Sequence, residues 1–307
     1  MPEKAPIALF VYKRLDTTRQ TIEALLLNAE AKDSLLYVFS DGPKGEADKS
    51  KVQAVRDFAH GIKGFKETRV IESPVNKGLG NSVIDGISHV VNAHGRVIVL
   101  EDDLIVSRYF LEYLNTGLDL YEDDERVISI SAYVYPVSGR LPEYFFLRWA
   151  DNLGWATWKR GWDIFEADGA KLLKGLKDAK ETRAFNLDGG YNFQGMLQEQ
   201  VEGKVDSWAI RWYASAFLKN KMTLCPGTPL VKHIGYDEDA THTQSADPQL
   251  IGILDPQEVR IKIKLIPVVP DEGARQTIRK YFMKIKLSLF RRAYLKARFL
   301  FRKLISS

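Results

Sequence analysis

The stretch Arg96-Val97-Ile98-Val99-Leu100-Glu101-Asp102-Asp103 decides the fold. A continuous apolar run reads as a strand covered on both faces, and this one delivers three carboxylates at its carboxyl end. Working outward, residues 7–12 (IALFVY) and 35–39 (LLYVF) are two more β-rich runs. Between them Thr18, Ile22, Leu25 and Leu26 recur at helical spacing, which makes a β-α-β unit. A further run, TRVIES (68–73), precedes the Gly-rich NKGLGNSVIDGISHVVNA, a glycine-led entry into a helix. Strands alternating with helices predict an α/β fold with a mostly parallel sheet, whose ligands gather at the carboxyl ends of the strands.

Composition fits a folded enzyme-sized chain. With 307 residues, 45% hydrophobic and 27% charged, it is far from the signature of disorder. The single cysteine, Cys225, excludes an intrachain disulfide and any cysteine-cluster metal site. The apolar run near the start spans only Ile7 to Tyr12, too short for a signal peptide or a membrane span, so a cytoplasmic location is expected. All six Trp fall between Trp149 and Trp212, a change of texture that marks a second, substrate-binding half. A strand-like run, RIKIKLIPVV (260–269), follows a polar loop. From Gly273 to Ser307 there are eleven of the 44 basic residues and none of the 40 acidic ones, so the rest of the chain carries a net −7.

Three polar clusters belong at the strand ends. Glu101, Asp102 and Asp103 either hold a divalent cation through hard oxygen ligands or cap a following helix, LIVSRYFLEYL. Arg14 follows the first strand and Asp41 the second, so both face the same rim; Asp41 either accepts from a uracil imide or a ribose, or is a turn residue before Gly42-Pro43. Asn76, Lys77 and Gly78 precede a helix whose N-terminus suits phosphate, although the glycine spacing is that of neither a P-loop nor a dinucleotide fingerprint. Asp206 reads as a helix N-cap for SWAIRWYASAFL or as a general base.

In this order the segments resemble the nucleotide-sugar glycosyltransferases of the GT-A fold, among them the animal N-acetylglucosaminyltransferase that initiates hybrid N-glycans and its bacterial look-alikes. The resemblance covers roughly residues 5–245, through VLEDDL with FLEYL, NLGWATWKRGW, VDSWAIRW and VKHIG. It implies a Rossmann-like catalytic domain over 1–270, with a nucleotide half (1–130) and an acceptor and sugar half (131–245). It implies Asp103 as ligand of Mn²⁺ or Mg²⁺ bridging the donor diphosphate, Glu101 and Asp102 near ribose and sugar, and Arg14 and Asp41 at diphosphate and uracil. Asp206 would be the base of an inverting transfer, ahead of Trp208 and Arg211, and Val205 stands where the relative has a Trp. Gly154 and Trp155 would wall the donor sugar. His233 would approach the metal or diphosphate, and Asp237, Glu238 and Asp239 would sit in a loop closing over the donor.

The tail completes the expectation. Ile278, Phe282, Ile285 and Leu289, then Phe290, Tyr294, Ala297, Phe301 and Leu304, recur at three- and four-residue steps among Lys and Arg. That pattern predicts a cationic amphipathic helix over 271–307, lying on an anionic membrane surface or docked on the domain. No aromatic platform or recognition motif accompanies the charge, so nucleic acid is not the expected partner. Together these readings predict a metal-dependent inverting transferase. It moves a sugar from a nucleotide-diphosphate donor, a UDP-sugar, to a glycan or lipid-linked oligosaccharide in surface polysaccharide synthesis, at the inner face of the cytoplasmic membrane. The rivals are a non-catalytic membrane scaffold and a sugar nucleotidyltransferase; the latter would need an early Gly-rich loop ending in Arg and Lys, which the sequence lacks.

Overall fold

A computed structural model of the chain describes residues 3–235 and 254–286. Its first half alternates β1 (Ile7–Val11), α1 (Leu15–Leu26), β2 (Leu35–Ser40), α2 (Glu46–His60), β3 (Glu67–Glu72), α3 (Leu79–His94) and β4 (Arg96–Glu101). The four strands pair in parallel in the order β3-β2-β1-β4. Each strand serves two layers through its two-residue alternation. In β1, Ile7, Leu9 and Val11 join the apolar cluster that includes Leu25 of α1 and Val55 of α2, while Ala8 and Phe10 join the one built on Val83 and Ile87 of α3. The helix α2 has no counterpart among the expected elements; it buries only Val52, Val55 and Ala59, with Phe58 packed at the edge of the same cluster.

The second half adds β5 (Leu104–Val106), α4 (Phe110–Leu120), β6 (Val127–Ser131), β7 (Tyr144–Leu147), β8 (Trp155–Trp158), α5 (Lys159–Trp162), α6 (Gly169–Asp178), α7 (Thr182–Phe185), α8 (Phe193–Val201), α9 (Trp208–Leu218), β9 (Met222–Pro226) and β10 (Val231–His233). Among the described residues the sheet extends to eight strands, β3-β2-β1-β4-β8-β6-β9-β7, with β8 antiparallel to β4 and β6, and β7 antiparallel to β9. The result is an α/β architecture with a mostly parallel central sheet flanked by helices. Because β8 and β7 run backwards, their amino ends share one rim with the carboxyl ends of β1, β2, β4, β6 and β9.

Two expectations are corrected here. Residues 104–109 do not continue a helix from the carboxylates: Leu104–Val106 pairs antiparallel with Val231–His233, and the helix begins only at Phe110. Residues 260–269 form no strand and no ladder with the sheet. Ile261, Ile263 and Val268 bury their side chains, but Pro267 and Pro270 have no N–H to donate, and the contact with the sheet is a single bridge from Phe146 to Pro270.

The amphipathic tail begins as a helix over 272–286. Its apolar side is taken up by the protein itself: Ala274, Ile278 and Phe282 are buried, and Phe282 packs on Tyr135, Tyr191 and Phe193 at centroid distances of 4.8, 5.2 and 5.9 Å. Arg275 fixes the start of the helix to Asp188 at 2.7 Å. This half is therefore docked on the domain, and its apolar face is not free for lipid; the remainder of the tail lies outside the described residues. Among the described residues no helix is long and apolar enough to cross a membrane. Truncating Phe282 to Ala should cost about 3 kcal/mol of stability, the usual scale for a buried aromatic, as read by urea unfolding. A loss under about 0.5 kcal/mol would mean that the helix rests loosely on the domain.

Candidate functional site

The sheet's carboxyl rim gathers its charge at the end of β4. Asp102 and Asp103 are both buried, at 4% and 5% exposure, in a turn between β4 and β5. The Arg14 guanidinium, delivered by the end of β1, bridges them at 2.5 and 2.7 Å. His233, at the end of β10, places Nε2 3.1 Å from Asp103 Oδ2, and the Ile234 N–H donates to the Asp103 carbonyl. Arg14, Asp102, Asp103 and His233 are thus brought together as expected, and the helix-cap alternative for the acidic run falls away because no helix starts there.

One guanidinium cannot neutralise three carboxylates, and their protonation separates accordingly. Burial, with the Asp103 and Asp102 charges beside it, pushes Glu101 up to about 8. Burial also raises Asp102, to about 6, against the opposing pull of Arg14. Asp103 moves the other way: burial pushes it up, but the hydrogen bond and charge of His233 and the charge of Arg14 outweigh that and hold it below the ordinary carboxylate range. Asp103 is therefore the dependable anion of the three. Its Oδ1 is buried and accepts no hydrogen bond among the described residues. A carboxylate oxygen kept from water without a donor is costly, and a hard divalent cation would satisfy it. No group of three or more His, Cys, Asp or Glu side chains among the described residues is arranged to hold a metal ion. Asp103 fits a cation shared with ligand oxygens, in the way Mg²⁺ is held by one or two carboxylates plus phosphate.

The neighbouring cluster differs from expectation. Asp41, at the end of β2, accepts from the N–H groups of Gly42, Lys77 and Gly78 and from Asn76 Nδ2, at 2.8 to 3.2 Å. Its carboxylate is engaged in shaping the 76–78 loop, so acceptance from a uracil imide gives way to a positioning role. The same bonds correct the phosphate assignment of that loop: the N–H groups of Lys77 and Gly78 point at Asp41, the Asn76 amide also donates to the Gly42 carbonyl, and Lys77 Nζ pairs with Asp85 at 2.7 Å. Gly78 takes φ +78° at the mouth of α3, a conformation that favours glycine. Against this turn stands Asp206. It is not the cap of α9, because the Ser207 hydroxyl accepts from Ile210 N–H there. Its exposed carboxylate instead lies over the first turn of α3, where a Cβ on Gly80 would stand 2.7 Å from Oδ1, and it accepts no hydrogen bond among the described residues. The positive end of α3 favours a carboxylate there.

The aromatic wall is also corrected. All six Trp are buried, at 5% exposure or less. Trp155 is fully enclosed between Trp162, Trp208 and Trp212, at centroid distances of 6.2, 5.9 and 5.5 Å, so neither Trp155 nor Trp208 presents a face to a sugar. Apolar burial wins because β8 runs through the middle of the sheet. Arg211 donates to the carbonyls of Ala167 and Ser207, away from the acidic centre. Gly154 does lie on the rim, at φ +65°, and a Cβ there would press on Phe110 at 3.0 Å. The loop of Asp237, Glu238 and Asp239 lies outside the described residues.

No family model matches the chain, and no curated protein matches it. Solved structures that it is similar to include a mannosyltransferase from Pyrobaculum calidifontis in complex with GDP-Man and Mn²⁺, at 11% identity over 71% of this chain and 70% of that one, with a TM-score of 0.37. Another is the apo form of the glycosyltransferase GlyE of Streptococcus pneumoniae, at 13% identity and a TM-score of 0.32, over 57% of this chain and 39% of that one. Both are glycosyltransferases.

Asp151 is a rim residue with no signal in the sequence, because an Asp-Asn pair in a loop looks like turn chemistry. It is 8% exposed, three residues before Gly154, and accepts from the N–H groups of Asn152 and Leu153. Burial pushes it up to about 6, with those two N–H groups opposing. The folded protein then binds this proton more tightly than the unfolded chain, so stability present below about pH 4 is lost as the pH rises through 6. Asp151→Asn should leave the melting temperature unchanged near pH 4 and raise it by about 2 °C or more at pH 8, read by calorimetry at both values. An equal shift at both pH values would show that Asp151 does not titrate in that window.

Proposed function

We propose that this protein is a metal-dependent, inverting GT-A-type glycosyltransferase that moves a sugar from a nucleotide-diphosphate donor, a UDP-sugar, to a glycan or lipid-linked oligosaccharide. The observation that carries the reading is the buried Asp103 carboxylate, held ionised by His233 and Arg14 with one oxygen lacking a donor. The motifs shared with the N-acetylglucosaminyltransferase family support it. Asp103 would hold the divalent cation, with His233 beside it, and when bound the cation would offset the charge of the departing diphosphate. Arg14 fixes Asp102 and Asp103 and leaves its positive charge on the same rim. Asp206, exposed and without a donor of its own among the described residues, is the group able to take the proton of an acceptor hydroxyl. With the leaving group handled electrostatically, the arrangement needs no protein acid.

Calorimetric titration with UDP-N-acetylglucosamine, UDP-glucose, UDP-galactose and GDP-mannose, with and without Mn²⁺, tests the reading. One donor should bind only with Mn²⁺ and lose binding in Asp103→Ala, and Asp206→Asn should keep donor affinity within about threefold while turnover falls 10²- to 10⁴-fold. Binding of no donor, or binding indifferent to metal and to Asp103, would contradict it.

Attachment to the inner face of the cytoplasmic membrane belongs to the same proposal, on changed grounds. With the apolar side of 272–286 docked, the exposed Lys280, Lys284 and Lys286 support an electrostatic contact, at about 1 kcal/mol per basic residue near an anionic surface. Sedimentation with phosphatidylglycerol vesicles should pull the protein down at low salt and release it at high salt; equal recovery with neutral vesicles would refute the electrostatic contact.

A further inference from the structure

One stretch of the surface combines exposed apolar side chains with unpaired positive charge. Among the described residues nine large apolar side chains stand exposed, and three of them, Val259, Leu265 and Val269, fall within residues 259–269. Leu265 and Val269 are 67% and 58% exposed. The same stretch, VRIKIKLIPVV, holds Arg260, Lys262 and Lys264 and no acid. Arg260 is paired with Glu112 at 2.6 Å, whereas Lys262 and Lys264 are exposed and make no ion pair among the described residues.

The stretch is firmly seated. Ile261, Ile263 and Val268 anchor it in the apolar cluster that includes Leu111 and Leu118 of α4. The Lys264 N–H donates to the Tyr144 hydroxyl at 3.0 Å, and the Ile266 N–H to the Tyr121 hydroxyl at 3.1 Å. Because Ile261 and Ile263 turn inward, the intervening Arg260, Lys262 and Lys264 turn outward. The outward groups are thus held in place before any partner arrives, which keeps the ordering cost of docking low.

The mixture of side chains points to the kind of partner. Protein interfaces gather aromatic side chains and Arg and are depleted in Lys. An anionic bilayer favours apolar tips that enter the headgroup boundary, beside Lys side chains whose stems lie along the apolar layer and whose ammonium groups stay at the phosphates. The stretch also runs on into the helix over 272–286, where the exposed Lys280, Lys284 and Lys286 add charge of the same sign. We propose that residues 259–269 form a membrane-inserting ledge, with Leu265 and Val269 entering the headgroup layer of an anionic bilayer and Lys262 and Lys264 meeting its phosphates. The ledge rests on the membrane contact proposed above and gives it an apolar component; it is independent of the transferase reading.

Sedimentation of the full chain with phosphatidylglycerol vesicles at low salt, on wild type, Leu265→Ser/Val269→Ser and Lys262→Gln/Lys264→Gln, tests it. The first double variant leaves the charge unchanged and should bind about tenfold more weakly. The second should lose about tenfold or more. A fluorophore gives an independent readout: Leu265→Cys offers an accessible thiol in a chain whose one cysteine, Cys225, is buried. An environment-sensitive label there should shift to the blue on adding the vesicles, while the same label on Leu27→Cys, equally exposed at the end of α1, should not. Vesicle binding of Leu265→Ser/Val269→Ser within about twofold of wild type, with no shift of the label at position 265, would overturn the ledge and leave the electrostatic contact standing. Absence of vesicle binding by wild type would overturn both. A blue shift that grows with protein concentration in the absence of vesicles would place a second copy of the chain on this face and overturn the ledge as well.

Discussion

Arg14 sits between Asp102 and Asp103, and the geometry of the rim follows from that one bridge. It ties the end of β1 to the turn after β4, two strands adjacent in the sheet, at 2.5 and 2.7 Å. Removing one partner of a buried ion pair typically costs 3–5 kcal/mol because the other charge is left uncompensated. The bridge also leaves charge uncompensated: three carboxylates meet one guanidinium and one imidazole, and of the three only Asp103 has its proton affinity lowered. The strap from Val231 to Gly235 meets the same residue twice, the Ile234 N–H donating to the Asp103 backbone carbonyl and His233 facing its carboxylate, so late chain and early chain meet at Asp103.

A second carboxylate organises the adjoining part of the rim. Asp41 gathers the N–H groups that would otherwise face outward from the 76–78 loop, and by doing so sets the entry to α3. Asp206 then comes to rest over the first turn of that helix, supplied by the amino end of α9. The rim therefore has an enclosed acidic centre with a cation-seeking oxygen and, beside it, an exposed carboxylate over a helix N-terminus. In the transfer proposed here, the first would meet the charge of the leaving diphosphate and the second would take the proton of the acceptor hydroxyl.

Much of this was legible in the sequence. The runs of β1, β2, β3 and β4 showed in their unbroken apolar character, and the rim position of Arg14, Asp102 and Asp103 followed from parallel strands ending together. His233 was placed by resemblance and is found 3.1 Å from Asp103. The misses have physical causes. Whether a Trp stacks on a ligand or fills a core depends on which strand lies in the middle of the sheet, and β8 enters between β4 and β6 through a crossover that periodicity does not encode. Loop N–H direction is likewise invisible: Asn76-Lys77-Gly78 reads as a phosphate cradle until Asp41 is seen to occupy it. The tail's amphipathic spacing shows as a helix over 272–286, but spacing alone does not distinguish lipid from Tyr135, Tyr191 and Phe193 as the surface that covers it.

The unsatisfied Oδ1 of Asp103 is where these lines converge, and crystals grown with UDP and Mn²⁺ would test it directly by anomalous scattering. The predicted result is a manganese peak within about 2.0–2.3 Å of Asp103 Oδ1, its other ligands being diphosphate oxygens and water. A bound UDP with no manganese at Asp103, or with manganese held elsewhere, would contradict it.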